Sequence, residues 1–454
     1  MGEFWDKRGW SVYADIVVMP GLVERAAHPK GAAVDDVSVD HGGGDVPMAQ
    51  ELLDGPDVVS GFEEMSGKTV AQAGRNRNGI DPQHRQHGAR PPMACMASPG
   101  DFERLPLIDV SGLESADLES RRRVARELDR AARSSGFFYA TEHGLPDTLI
   151  EDLAAAAAEF FALPEAAKQA YYIGGSTNHR GYVPPGEEVF YAGSKDTKEA
   201  FDLSLDLPDS DPDYRAGNRL LGPNRWPTEV RNFRERVYTY YEAVTALGRR
   251  LLRGFLLALE LAEDHFDRVL LKPPSQLRLI HYPYSPSALD APGIGAHTDY
   301  ECFTILHASS PGLEVLNARN HWVDAPPLPG AFVINIGDLL EVLSNGRWVS
   351  TAHRVRKVTE ERYSAPLFFN LDYDAEIAPA PHLVQRDGEA RYPSVRAGEH
   401  LLAQTAQSFS YMKAQVARGE LHLPSAALGL ASFARERAER AEQRSSAAGN
   451  AVPG

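Results

Sequence analysis

From Gln276 onward the chain breaks into short apolar runs separated by Gly, Pro and Asp/Asn turns, and this pattern narrows the possible fold more than any other feature. The runs are Gln276 to Tyr282, Cys302 to His307, Leu313 to Leu316, Trp322 to Asp324, Ala331 to Ile336, His353 to Val358 and Ala365 to Tyr373. Many short strands with turn signals between them indicate a double-sheet roll or sandwich. Just upstream, from Pro227 to about Leu261, the apolar residues Val230, Phe233, Val237, Tyr241, Val244, Leu247, Leu251, Phe255 and Leu259 keep a spacing of 3 or 4. That period predicts one long helix with a stripe to bury along the back of a sheet.

The region ahead of this helix is mixed. Leu105-Pro-Leu-Ile-Asp-Val110 predicts an entry strand, and Ser115 or Asp117 caps a helix that carries Leu118, Val124, Leu128 and Ala131 or Ala132 inward and ends at Gly136. Phe137 to Thr141 reads as a strand, and Pro146 opens a second helix with Leu149, Ile150, Leu153, Phe160 and Phe161 on its inner face. Gly174 to about Lys198 is loop-like, and a last helix follows the strands from Ala397 to about Ala417.

The expected organisation is therefore an N-terminal extension of low complexity or disorder (1–103), the N-terminal helical and strand part of one large domain (104–225), its long helix and β-roll core (226–425), and a charged tail (426–454). Residues 1–103 show no sustained period of 2 or 3.6. Two readings of them are open: a disordered leader, or a stretch not translated in the cell, with synthesis starting at Met93 or Met96. Sequencing the native N-terminus separates the two.

A formal charge of −16 without a Lys/Arg-rich run argues against nucleic acid or an anionic membrane as partner and favours a small-molecule substrate. Two cysteines, Cys95 and Cys302, cannot build a disulfide framework, and no apolar run is long enough to span a bilayer. A soluble protein of the reducing cytoplasm is expected. The sequence leaves the oligomeric state open.

Within the roll, His297 and Asp299 stand two residues apart at the start of an alternating segment, and side chains at i and i+2 of a strand share a face. His353 follows in a second strand-like run. Two imidazoles and one carboxylate leave further coordination positions open, which suits non-haem Fe(II) handling O2. Zinc is the rival metal, but a zinc hydrolase needs a nearby general base and no His-Glu-x-x-His helix supplies one. His265-Phe-Asp267, at the end of the long helix, is a decoy, because i and i+2 diverge there. His281, His307 and His321 are read as neutral imidazoles satisfying backbone groups.

Arg362 and Ser364 alternate into an apolar strand, where a buried guanidinium needs an anion and a carboxylate is its best match. Tyr282 either adds a phenolic hydrogen bond to that anion or packs as a core tyrosine.

These segments resemble the isopenicillin N synthase-like family of Fe(II)- and 2-oxoglutarate-dependent oxygenases over residues 104 to 425. The resemblance is carried by the Leu105 to Val110 entry, Ser135-Gly-Phe-Phe138, the Asn178 to Tyr182 loop, His297-Thr-Asp299, His353-Arg-Val355 and Arg362-Tyr-Ser364. It implies a mixed α+β fold, a distorted double-stranded β-helix (jelly roll) backed by the long helix. It also implies that His297, Asp299 and His353 hold iron, that Arg362 and Ser364 grip the distal carboxylate of 2-oxoglutarate, and that Tyr282 assists. One departure stands out, Ile280-His-Tyr282 where plant members carry Asn-Tyr-Tyr, and it removes a polar contact to the cosubstrate. By this resemblance the substrate pocket draws on the loop near Arg180 to Tyr182, the strand after His281 and the residues around Leu371 and Tyr373.

The implied activity is hydroxylation or desaturation of a small metabolite using O2, with 2-oxoglutarate converted to succinate and CO2. The alternatives are an isopenicillin N synthase-type Fe(II) oxidase or cyclase that does not use 2-oxoglutarate, and a non-enzymatic metal or ligand binder on the same barrel.

Overall fold

The computed structural model describes residues 100–188, 198–284, 293–356 and 358–424. Most of the expected extension and all of the tail lie outside the described residues, as does the Met93/Met96 question. The boundary at 103 shifts earlier. The Gly100 N–H donates to the Ser134 carbonyl, and Asn317 Nδ2 donates to the Phe102 carbonyl, so the folded body already includes these residues.

In chain order the first half holds β1 (Leu107–Asp109), α1 (Leu118–Ser134), β2 (Phe137–Thr141), α2 (Asp147–Phe161) and α3 (Glu165–Gln169). Next come β3 (Gly181–Val183), β4 (Glu199–Leu203), α4 (Pro212–Arg215) and α5 (Phe233–Ala258). The strand-rich half holds β5 (Gln276–Tyr282), β6 (Ile294–His297), β7 (Phe303–Ala308), β8 (Leu313–Leu316), β9 (Trp322–Asp324) and β10 (Phe332–Ile336). It continues with α6 (Asp338–Leu343), β11 (His353–Val355) and β12 (Arg362–Phe369). Last are β13 (Glu376–Ile377), α7 (Pro381–Asp387), β14 (Val395–Arg396), α8 (Ala397–Ser408) and α9 (Ser410–Ala417).

The strands form a large sheet ordered β1-β2-β10-β7-β12-β5-β4-β3 and a small one ordered β6-β11-β8-β9. Strands from the first half thus extend a sheet whose centre comes from the second half, which makes the parts before and after residue 225 one domain rather than two. This is the expected mixed α+β arrangement, a distorted jelly roll backed by a long helix. Alternation along β12 shows how one strand serves both sides. Ala365, Leu367 and Phe369 enter the core under α5, while Arg362, Ser364, Pro366 and Phe368 line a cavity between the sheets. Gly248 lets α5 come that close, because a Cβ there would lie 2.3 Å from the Phe369 ring.

The long helix is shorter than its apolar period suggests. Asn232 sits in the left-handed region (φ 54°), so the helix starts at Phe233 rather than Pro227, and Glu260 (φ 60°) stops it near Ala258. Asp117, one of the two expected caps, accepts from the backbone N–H groups of Glu119 and Ser120 at the start of α1. The last helix is broken in two, because Phe409 is extended (φ −85°, ψ 129°) between α8 and α9 and its buried ring lines the cavity. Among the described residues no helix is long and apolar enough to cross a membrane.

Candidate active site

His297 ends β6, and pairing with β11 sets it directly opposite His353. Asp299 is not on the same strand as His297, contrary to the alternation expected. It lies in the turn before β7, because its carbonyl accepts the Asp338 N–H and the Glu301 carbonyl accepts the Leu339 N–H, winding the turn onto the start of α6. Gly337 permits the contact: a Cβ there would stand 2.2 Å from the Glu301 carbonyl oxygen.

The three side chains still converge. Asp299 Oδ1 is 3.8 Å from His297 Nε2 and 3.7 Å from His353 Nε2, and one donor atom from each residue falls within 4.8 Å of the others. Each imidazole uses Nδ1 on a backbone carbonyl, His297 on Gly295 at 2.8 Å and His353 on Thr351 at 3.2 Å, which leaves the Nε2 lone pairs facing the carboxylate. The other Asp299 oxygen, Oδ2, accepts from Asn335 Nδ2 at 2.7 Å and from the Thr304 hydroxyl. Burial, with the His353 ring adding to it, pushes the His297 imidazole down to about 4, which favours the neutral ring near pH 7. Two imidazole nitrogens and one oriented carboxylate oxygen, buried and already gathered, fit Fe(II) with positions left open.

The same cavity, about 880 Å³ counted out to its mouth, contains Arg362, Ser364 and Tyr282. Arg362 is buried, its guanidinium carbon stands 4.6 Å from the centre of the Tyr282 ring, and its Nε donates to the Ser310 carbonyl at 3.1 Å. Its Nη1 has no partner among the described residues. A buried cationic donor without an acceptor is costly, and a carboxylate entering beside Ser364 supplies what is missing. The structure thus brings all six expected site residues to one cavity.

The sequence reading missed the supports and the far end of this cavity. Thr304 and Asn335, which orient Asp299, alternate with core residues on β7 and β10, so strand period placed them inward but gave no sign of a role. Arg278 lies one alternation from Ile280 on β5. Its Nε and Nη2 bond Asp202 at 2.7 and 2.8 Å, its Nη1 bonds Glu188 at 2.8 Å, and Lys198 also bonds Glu188. Gln276 Nε2, beside this cluster on the same strand face, has no partner among the described residues. Glu301 also lines the cavity, and burial, with the Asp299 charge adding, pushes its carboxyl up to about 8.

Several expectations about the surroundings need correction. Arg180 does not line the cavity, because its guanidinium is spent on the carbonyls of Asn178, His179 and Leu220; His179 lines it instead. Leu371 is fully buried in the main core, and neither it nor Tyr373 lines the cavity. Past Tyr284, the strand after His281 lies outside the described residues up to Gly293. His281 is no neutral ring on a backbone group, since both of its nitrogens bond carboxylates, Glu199 and Glu361. His265 and Asp267 do not close α5 but follow its end at Ala258, where Asp267 bonds Arg253 of that helix.

Comparison with known proteins agrees with this geometry. Residues 105–229 match the family described as non-haem dioxygenase in morphine synthesis N-terminal, and residues 273–371 match the 2OG-Fe(II) oxygenase superfamily. A homoarginine-6-hydroxylase of Arabidopsis thaliana is 33% identical over 330 residues, covering 68% of this chain and 99% of the relative. A 2-oxoglutarate-Fe(II) type oxidoreductase of Emericella nidulans is 32% identical over 326 residues, covering 70% of this chain and 93% of the relative. Among solved structures, a 2OG-Fe(II) oxygenase family protein from Caulobacter crescentus superposes with a TM-score of 0.60 at 32% identity, covering 67% of this chain and all of that one. A full-length Neurospora crassa protein solved in complex with alpha-KG and thymine gives a TM-score of 0.60 at 25% identity, covering 69% of this chain and 99% of that one. The chain therefore belongs to the 2OG-Fe(II) oxygenase superfamily and is a non-haem Fe(II), 2-oxoglutarate-dependent dioxygenase.

Proposed function

We propose that His297, Asp299 and His353 hold the iron, that Arg362 and Ser364 grip the far carboxylate of 2-oxoglutarate with Tyr282 packed beside them, and that a small polar metabolite is hydroxylated or desaturated at the Gln276 and Arg278 end of the cavity. The observation that carries this reading is the shared cavity, in which a ready N/N/O donor set faces the same space as a buried guanidinium whose Nη1 lacks an acceptor among the described residues. Iron and 2-oxoglutarate, when bound, supply the oxidising power with O2 and leave succinate and CO2 as products.

The side chains do the rest. Gly295 and Thr351 fix the tautomers of the two imidazoles, and Asn335 and Thr304 aim Asp299. Phe137, Leu306, Leu313 and Val355 wall the cavity and keep water from the reacting end. Arg362 and Ser364 fix the cosubstrate's direction, and the Arg278, Asp202 and Glu188 network gives the opposite end a rigid polar wall that suits a polar substrate.

The test is succinate release by the Fe(II) protein under air with 2-oxoglutarate, alone and with a panel that includes guanidino amino acids and pyrimidine bases, the chemistries named for two relatives. Turnover that one panel member stimulates supports the reading. Absence of 2-oxoglutarate consumption, coupled or uncoupled, with every member counts against it and returns the oxidase alternative. The cysteine content supports a reducing cytoplasmic setting, which fractionation of the native protein tests.

A further inference from the structure

We propose that His281 is a positioning residue for 2-oxoglutarate: as an imidazolium bridging Glu199 and Glu361, it locks the strand ends that carry Tyr282 and Arg362. The inference rests on the role proposed above for Arg362. Strand register places the parts, with Arg362 opposite Tyr282, Tyr363 opposite His281 and Glu199 opposite His281. Tyr282 and Arg362 face the cavity, and the next residue along each strand, His281 or Tyr363, turns to the other side of the sheet. There the His281 ring stacks on Tyr363 (centroids 4.8 Å apart, planes at 12°) with Phe161 at 5.4 Å.

Nδ1 lies 2.7 Å from Glu199 Oε1, and Nε2 is bonded to Glu361 Oε1. A carboxylate only accepts, and a neutral imidazole donates from one nitrogen, so both contacts together require the doubly protonated ring. Each end of the bridge is anchored. Glu199 Oε2 accepts from Lys168 Nζ at 2.7 Å and from the Tyr182 hydroxyl at 2.6 Å, and Glu361 Oε2 accepts the Tyr284 N–H at 3.0 Å. His281 therefore joins β4, β5 and the residue preceding Arg362 through one charge.

The titratable groups around the ring are Glu199 on β4, Glu361 before β12, Tyr363 on β12, Tyr182 on β3, and Lys168 and Glu165 on α3. Burial acts to lower the His281 value, the bonds to Glu199 and Glu361 outweigh it, and the net direction is up. Both carboxyls are held below their ordinary values, so they are anions while the ring is charged. A raised imidazole contributes its full share below the ordinary histidine range and loses it as pH climbs through the raised value. The lock is thus closed on the acid side of the raised value and opens as pH climbs above it.

The experiment measures 2-oxoglutarate affinity by anaerobic calorimetry on the Fe(II)-loaded protein, from neutral to alkaline pH, beside steady-state KM and kcat. Glu361→Ala, at a half-exposed position, and His281→Phe, which keeps the stacking, are compared with the wild type and with Arg362→Ala. The expected result is about a five- to tenfold weaker affinity and higher KM in both lock variants at the acid end of this range, less than the loss of a charge-assisted hydrogen bond to the cosubstrate itself because the lock acts through Arg362, with kcat at saturating 2-oxoglutarate within about twofold. Wild-type affinity falls toward theirs in alkali, and Glu361→Gln, which keeps an acceptor without the charge, lies between. If Arg362→Ala loses affinity while Glu361→Ala matches the wild type at every pH, the lock is overturned and the Arg362 assignment stands. If Arg362→Ala itself binds normally, the assignment of Arg362 fails, and the lock fails with it.

Discussion

Asn335→Ala probes the metal centre without touching a ligand. Asp299 Oδ2 holds two hydrogen bonds, from Asn335 Nδ2 at 2.7 Å and from the Thr304 hydroxyl, and these leave Oδ1 aimed at the two Nε2 atoms. A hydrogen bond to a charged group contributes roughly 1.5–3 kcal/mol, and at about 1.4 kcal/mol per decade that is about 10- to 100-fold in binding. The same range is typical when the group that orients a metal ligand is removed. Thr304 still holds the carboxylate in the single variant, so the lower end applies and Fe(II) affinity falls about tenfold. Thr304→Val added to Asn335→Ala costs more than the sum of the two, since either bond partly covers for the other. Affinity is read by anaerobic Fe(II) titration, with melting temperatures in chelator measured alongside. The backbone of β10 stays paired to Phe137 and Thr304, so the variant folds. Wild-type Fe(II) affinity in Asn335→Ala, or an equal loss in a core variant that bonds none of the three donor residues, would refute the reasoning.

Phe255→Ala is that core variant: its fully buried ring packs on Phe138, Phe303 and Trp348, so unfolding free energy drops by about 3–5 kcal/mol in a denaturant titration while Fe(II) affinity holds. Asp299→Ala abolishes measurable Fe(II) binding and leaves circular dichroism close to wild type, and unchanged iron affinity sinks the metal assignment. Arg362→Lys keeps a charge but not the planar fork, so the KM for 2-oxoglutarate rises by about tenfold or more and Arg362→Ala exceeds it; equal KM values in the two variants would argue against bidentate recognition.

Much of the roll was legible because its strands are short, apolar and punctuated. β5, β8 and β9 run over the residues the pattern marks, since period 2 and turn residues act locally. The long helix was misread at its ends for a different reason. Val230 is buried and keeps the helical spacing, but what starts α5 is the left-handed backbone of Asn232, which hydrophobic period does not encode. The triad shows the same divide. His297 and His353 converge by strand register, while Asp299 converges because α6 takes its carbonyl, a contact between residues 39 apart by number (299 and 338). Alternation alone thus picks out three side chains that do converge, through the wrong local geometry.

The polar end of the cavity was hidden because its partners arrive from separate segments. In the sequence Arg278 is one residue of a strand, and only the pairing of β4 with β5 shows Asp202 opposite it and Glu188 closing its third nitrogen. Register also separates the tasks along β12. Arg362 and Phe368 are six residues apart on one face, about 20 Å of strand. Arg362 stands opposite Tyr282, and Phe368 stands opposite Gln276 and Thr304, the residue that holds Asp299. By the roles proposed above, the carboxylate grip would use the Arg362 stretch of this strand face, and the Gln276 and Arg278 end would be left for the substrate. A substitution near Arg362 should accordingly act on 2-oxoglutarate affinity, and one at Gln276 on the choice of substrate. Gln276→Leu that shifted the KM for 2-oxoglutarate while leaving substrate preference intact would show that the two tasks are not divided along this strand.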